Sequence, residues 1–138
     1  MVMETTFNKQ ETIKLLEEYY AKLEEKQVKV NITAQAGCIG LYETPGCITT
    51  ITVTESMEIA GIKKEVKTTL SEEEVTKKLK ALFSLYELSL KSVSYEDGLG
   101  SRTEGYGMGE HTVNRAYFNG IKVVVEKQKQ QNLSMYYR

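Results

Sequence analysis

Residues 71–95, SEEEVTKKLKALFSLYELSLKSVSY, change from a helical to an extended repeat in mid-segment, and that change decides the fold class. Ser71 with Glu74 three residues on is a capping box, in which each side chain satisfies a backbone N–H orphaned at a helix start; three acids in the first turn also suit the positive end of the helix dipole. Val75, Leu79, Leu82, Phe83 and Tyr86 then share one face, with Lys77, Lys78 and Lys80 on the others, which predicts an amphipathic helix over about 72–86. From Leu88 the period drops to two. Leu88, Leu90, Ser92 and Ser94 alternate with Ser89, Lys91, Val93 and Tyr95, the pattern of a strand.

Toward the N-terminus the same succession occurs again. Asn8 and Glu11 form a second capping box, and Ile13, Leu16, Tyr19, Tyr20 and Leu23 follow at helical spacing, predicting a helix over about 9–26. At Val28 alternation begins, Val28, Val30 and Ile32 against Lys29, Asn31 and Thr33, and a second extended stretch follows. Thr44-Pro45-Gly46-Cys47 has Pro and Gly at the central positions of a type II turn and predicts a chain reversal. Residues 47–59, rich in β-branched side chains, read as a long strand, and Ala60-Gly61 offers a turn into 62–68, although Ala suits the first central position of a primed turn poorly.

Toward the C-terminus regularity stops at Asp97. Residues 97–112 read as a Gly-rich loop, with Gly98, Gly100, Gly105, Gly107 and Gly109 between Asp97 and Glu110. Beyond it, 113–118 and 121–127 flank Asn119-Gly120, the pair that most readily forms a type I′ turn, and predict a tight hairpin. Residues 128–138 form a tail that is polar at first and ends in the cluster Leu133, Met135, Tyr136 and Tyr137; it either frays or docks. Two helices and about six strands, joined mostly by short reversals with no βαβ rhythm, define an α+β fold. The expectation is a mostly antiparallel sheet with two amphipathic helices on one face, in a single domain over residues 1–138.

A chain of 138 residues with 41% apolar and 27% charged side chains builds one core rather than a disordered tail. Its net charge of −1 gives no overall field toward nucleic acid or an anionic membrane, although from His111 onward five basic residues stand against the single acid Glu126. There is no bilayer-length apolar run and no basic-then-apolar start at Met1 to Phe7, so the expected location is cytoplasmic and no membrane partner is expected. Cys38 and Cys47 lie in strand-like surroundings without a metal-type spacing and read as reduced structural thiols; no metal site is expected.

Chemistry concentrates near the glycines because of arginine. The chain has fifteen lysines but three arginines, and two of these, Arg102 and Arg115, lie within the Gly-rich loop and just beyond it. Lysine suffices for solubility, whereas the guanidinium fork grips two oxygens of a carboxylate or phosphate and stacks on aromatic rings. Tyr106 stands between them, Gly105 and Gly107 allow close backbone approach and an anion-binding nest, and His111 is the one histidine, able to titrate near neutrality. The candidate ligand-binding residues are therefore Arg102, Gly105, Tyr106, Gly107, His111 and Arg115. They match neither a phosphate-loop nor a dinucleotide fingerprint. No nucleophile motif surrounds Cys38, Cys47 or Ser101, so neither a catalytic residue nor a cofactor is assigned. The nine tyrosines read as core or interface residues rather than base-stacking platforms, and nucleic acid is not the expected partner.

Rich in Lys, Glu, Ile and Thr with one proline, the chain resembles in composition small proteins of phages and mobile elements of low-GC bacteria, and that resemblance implies action by binding and blocking. The leading expectation is a non-enzymatic binding protein that holds an anionic, nucleotide-like small molecule at the Gly-rich segment. The alternative is a protein-binding inhibitor or adaptor acting on a bacterial protein complex, and an enzyme comes third. A homo-oligomer is expected, with the 113–127 hairpin or the 133–137 cluster contributing to the contact, because Val123 and Val125 point one way and Val124 the other and one face needs cover; the alternative is that the first helix covers it within the same chain.

Overall fold

Both helices start at their predicted capping boxes. The computed structural model describes residues 2–39, 44–104 and 111–128, of which 38–39, 44–45, 101–104 and 111–114 are described as backbone alone. Strand β1 (Val2–Asn8) runs directly into helix α1 (Lys9–Leu23), where Asn8 Oδ1 accepts the Glu11 N–H at 2.8 Å and Glu11 Oε1 accepts the Asn8 N–H at 2.9 Å. Helix α2 (Glu72–Ser84) opens with the equivalent Ser71–Glu74 exchange, both bonds 3.2 Å long. Each such cap contributes about 1 kcal/mol. The helices stop two or three residues short of the sequence expectation because the chain leaves helical geometry nearby, with Glu25 at φ +53° and Glu87 at φ +60°.

The other strands are β2 (Lys29–Ile39), β3 (Thr44–Ile59), β4 (Ile62–Leu70), β5 (Leu88–Glu104) and β6 (His111–Lys127). All pairings are antiparallel, and the strands divide between two three-stranded sheets, ordered β1-β6-β5 and β2-β3-β4. One apolar cluster joins both sheets to both helices. Leu16 and Tyr20 of α1 and Val75, Leu79, Leu82 and Phe83 of α2 meet Val30, Ile32, Ile51 and Val53 from one sheet and Leu90, Ile121, Val123 and Val125 from the other. The expected α+β class, with antiparallel pairing, two amphipathic helices and a single domain, is what the structure has. Among the described residues no helix is long and apolar enough to cross a membrane.

Three local expectations are corrected. Asn119-Gly120 is no hairpin turn, because β6 runs straight through it. Gly120 pairs with Asn8 on one side and Glu96 on the other, while Asp97 pairs with Phe118, so Asn119 is the extra residue of a β-bulge. Gly120 takes φ +143°, and a Cβ there would sit 1.8 Å from the Phe7 carbonyl oxygen. The residue pair chosen for a turn serves a close backbone crossing instead. With β6 in the middle of its sheet, Ile121, Val123 and Val125 face the core and Lys122 and Val124 the other side, so the faces alternate as expected, on one continuous strand rather than a hairpin.

Thr44-Pro45-Gly46-Cys47 is likewise strand, paired with Ile39, Cys38, Gly37 and Ala36. Pro is tolerated because β4 pairs only from Ile51 onward, so this end of β3 has a neighbour on one side alone. The connection 40–43 lies outside the described residues. The segment from Asp97, read as loop, continues β5 to Glu104 and pairs with residues 111–118; only 105–110 of the predicted 97–112 loop, together with the 129–138 stretch of the tail, lies outside the described residues. Strand β1 was not anticipated from the sequence, although Met3 and Phe7 pack against the core.

Candidate functional site

Two long antiparallel ribbons, β5–β6 and β3–β4, carry the candidate positions that the structure describes. The first carries the residues picked from sequence. Its ladder pairs Gly100 with Arg115, Arg102 with Val113 and Glu104 with His111. These rungs are two residues apart, so positions 102, 111 and 115 belong to one face of the ladder, successive rungs lying about 7 Å apart. The structure therefore brings Arg102, His111 and Arg115 into one register-defined row. Arg115 is exposed. Gly105, Tyr106 and Gly107 lie outside the described residues.

The root of this hairpin is held against β3. The Thr49 hydroxyl donates to the Asp97 carboxylate, and the Cys47 thiol donates to the Tyr117 carbonyl at 3.5 Å. Cys47 is a free thiol. The Tyr117 ring lies over Gly98, where a Cβ would come within 2.8 Å of the phenol oxygen. Tyr95 meets Phe118 edge-to-face at 5.6 Å. Burial pushes the Tyr95 phenol well above its ordinary range, and the nearby carboxylates Glu72 and Asp97 push it the same way. The root is an apolar and hydrogen-bonded brace.

The sequence predicts the second hairpin as structure without marking it as a candidate site. Its turn, Ala60-Gly61, has φ +53° and +81°, both positive as a type I′ turn requires, so Ala accepts a left-handed conformation that costs it about 1 kcal/mol or more. Cross-strand partners Ile51–Leu70, Val53–Thr68, Glu55–Val66, Met57–Lys64 and Ile59–Ile62 share the inner face. Ile51, Val53 and Leu70 are buried, but farther out nothing described lies above this face: Met57 is 42% exposed, Ile59 58%, Ile62 57% and Val66 37%. The outer face holds Thr52, Thr54, Ser56, Glu58, Lys63, Glu65, Lys67 and Thr69. The result is an amphipathic ribbon that carries the apolar face of the core out into solvent. At its base the Lys26 ammonium braces Glu55 at 3.4 Å. The signal was present in sequence as an alternation through residues 51, 53, 57 and 59. Alternation identifies a face without saying what covers it.

A third polar cluster is structural. Lys78 of α2 lies 3.4 Å from the Glu24 carboxylate and about 5 Å from the Tyr19 and Tyr20 ring centres, tying the helices together. Burial opposes the Glu24 charge, but hydrogen bonds with Tyr19 and Lys78, and the Lys78 charge, hold its carboxyl below the ordinary range. Among the described residues no group of three or more His, Cys, Asp or Glu side chains is placed to hold a metal ion. Comparison with protein families, curated proteins and solved structures gives no match to this chain.

Proposed function

We propose that this is a protein-binding module whose contact surface is the projecting β3–β4 ribbon. The observation that carries the reading is the run of exposed apolar side chains Met57, Ile59, Ile62 and Val66 on the continuation of the core face. Single exposed apolar residues are ordinary, but Ile59 and Ile62 paired across the ladder, with Met57 next along the face and Val66 diagonal to Met57, form a cluster interrupted by Lys64 and Glu55, and such a cluster on a polar-backed ribbon is the form of an interaction site. An inhibitor or adaptor acts by presenting such a strip to a partner. The test is a photo-crosslinking residue placed at Ile59 or Ile62 in the producing cell, with exposed Ser94 as control. A discrete protein adduct from the ribbon positions and none from Ser94 is expected; absence of any adduct from Ile59 and Ile62 overturns the reading.

A second reading, binding of an anionic, nucleotide-like small molecule at the β5–β6 hairpin, is favoured by the register that sets Arg102, His111 and Arg115 in one row. A specific anion raises the melting temperature by linkage, and Arg102→Ala and Arg115→Ala should each remove the rise. A rise unchanged in both variants, or no rise with any nucleotide, rejects it.

A further inference from the structure

Strand β4 is the outer strand of its sheet, paired with β3 on one side only. The opposite edge, β2, is partly occupied, since the Val30 N–H donates to Glu17 Oε2 at 3.1 Å. Among the described residues β4 has no equivalent cover, and all of it except Leu70 is exposed. A bare edge is a template for one more strand.

Sequence restricts what that strand can be. When a strand pairs antiparallel with a copy of itself, the two-fold axis stands normal to the sheet and both copies keep the same face up. Paired residues must then come from the same face, so each permitted register is centred on a single residue. Centring on Lys64, Glu65 or Lys67 sets that charge directly against its own copy. Centring on Val66 sets Val66 against Val66, Glu65 against Lys67 on both sides of the axis, and Ile62 against Leu70, so that β4 pairs over its whole length. The charges exclude these neighbouring registers, and centring on Thr68, which opposes no like charges, pairs only residues 66–70, so charge and length together leave the Val66 register. It also takes the exposed tip of the ribbon, with Lys63 beside it, to the residues just past Leu70 of the second copy. Those residues are the acidic first turn of α2, Glu72, Glu73 and Glu74.

We propose that the partner of the ribbon is a second copy of this chain, joined β4 to β4 about an axis at Val66 to make a continuous six-stranded sheet. This rests on the reading of the ribbon as a protein-contact surface; the pairing uses the β4 edge and lays the two apolar strips side by side on one face of the joined sheet. Sedimentation or light scattering on the full chain should give twice the 15.7 kDa of one copy. Glu65→Lys and Lys67→Glu each set like charges across the axis twice, and each should raise the dissociation constant roughly tenfold or more. The combined exchange, Glu65→Lys with Lys67→Glu, should restore it. Both side chains are exposed, so an unchanged circular dichroism spectrum shows that the fold is retained. A parent chain that stays at monomer mass to high concentration, single variants that dissociate no more than the parent, or a double variant that fails to recover would each overturn the proposal. Its failure is separable from that of the ribbon reading: a monomer whose Ile59 cross-links to a different protein refutes self-pairing alone, whereas no adduct at all refutes both.

Discussion

The β5–β6 and β3–β4 hairpins are the same device, a long antiparallel ribbon, placed in opposite circumstances. Each gains a third strand, β1 along β6 and β2 along β3, but β2 ends opposite Thr54, short of the second ribbon's tip; the first also gains hydrogen bonds from Cys47 and Thr49 of β3, and its Phe118, Ile121, Val123 and Val125 are buried. The second outruns the helices, and the same alternation that buries Ile51 and Val53 leaves Met57 and Ile59 in solvent. An inward pattern along a strand is therefore a demand for cover, met within the chain in one ribbon and unmet among the described residues in the other.

The comparison breaks most readily at glycine. Gly120→Ala forces a Cβ to within 1.8 Å of the Phe7 carbonyl oxygen at a positive φ, and the β1–β6 crossing must open; a loss of about 3 kcal/mol or more is expected in urea unfolding. At the ribbon tip Gly61 also has positive φ, +81°, but nothing lies within 4 Å of its Cβ position, so Gly61→Ala should cost only about 1 kcal/mol. Equal losses at the two sites would mean that the ribbon tip is as enclosed as the bulge. Side-chain truncation sharpens the same contrast. Ile121→Ala empties a fully buried site in β6 and should cost about 2–5 kcal/mol, whereas Ile59→Ala, measured after dilution to the monomer, should stay within about 0.5 kcal/mol.

A further small effect is electrostatic. Because Glu24 is held below the ordinary carboxylate range when folded, its contribution is present above its unfolded pKa and disappears as the pH falls through the depressed folded value. Glu24→Gln should therefore lower stability at neutral pH, by under about 1 kcal/mol for so partly exposed a pair, and flatten the acid limb of the stability curve. An acid limb identical in parent and variant would show that the Glu24–Lys78 contact does not couple the helices.

What sequence made legible was whatever local chemistry decides. The boxes at Asn8–Glu11 and Ser71–Glu74 are closed within three residues, and both helices start as read. Asn119-Gly120 failed for an equally physical reason: tolerance of positive φ serves a hairpin turn and a bulge alike, and only the arrival of β1 and β5 on either side of β6 decides between them. Pro45-Gly46 misled in the same way, since Pro is excluded from a ladder only where its nitrogen faces a neighbour. For the candidate site, Arg102 and Arg115 group by nearness in sequence, but the ladder that carries both is not legible, because glycine-rich residues 97–104 read as loop until β6 pairs with them. Nor is the apolar strip of the other ribbon, because exposure depends on where the helices end in space.

The place of β6 also governs how the chain is made. Among the described strands, the one at the centre of one sheet is the last in sequence order, and it joins β1, the first, to β5. While the chain is still being synthesised, β1 and β5 have no partner strand between them, and Met3, Phe7 and Leu90 face an unfinished core until residues 111–127 emerge. The β2-β3-β4 sheet can form in the meantime, because its strands are consecutive. Folding should therefore proceed in two stages, a local meander first and a late closure set by the slow search for long-range pairing.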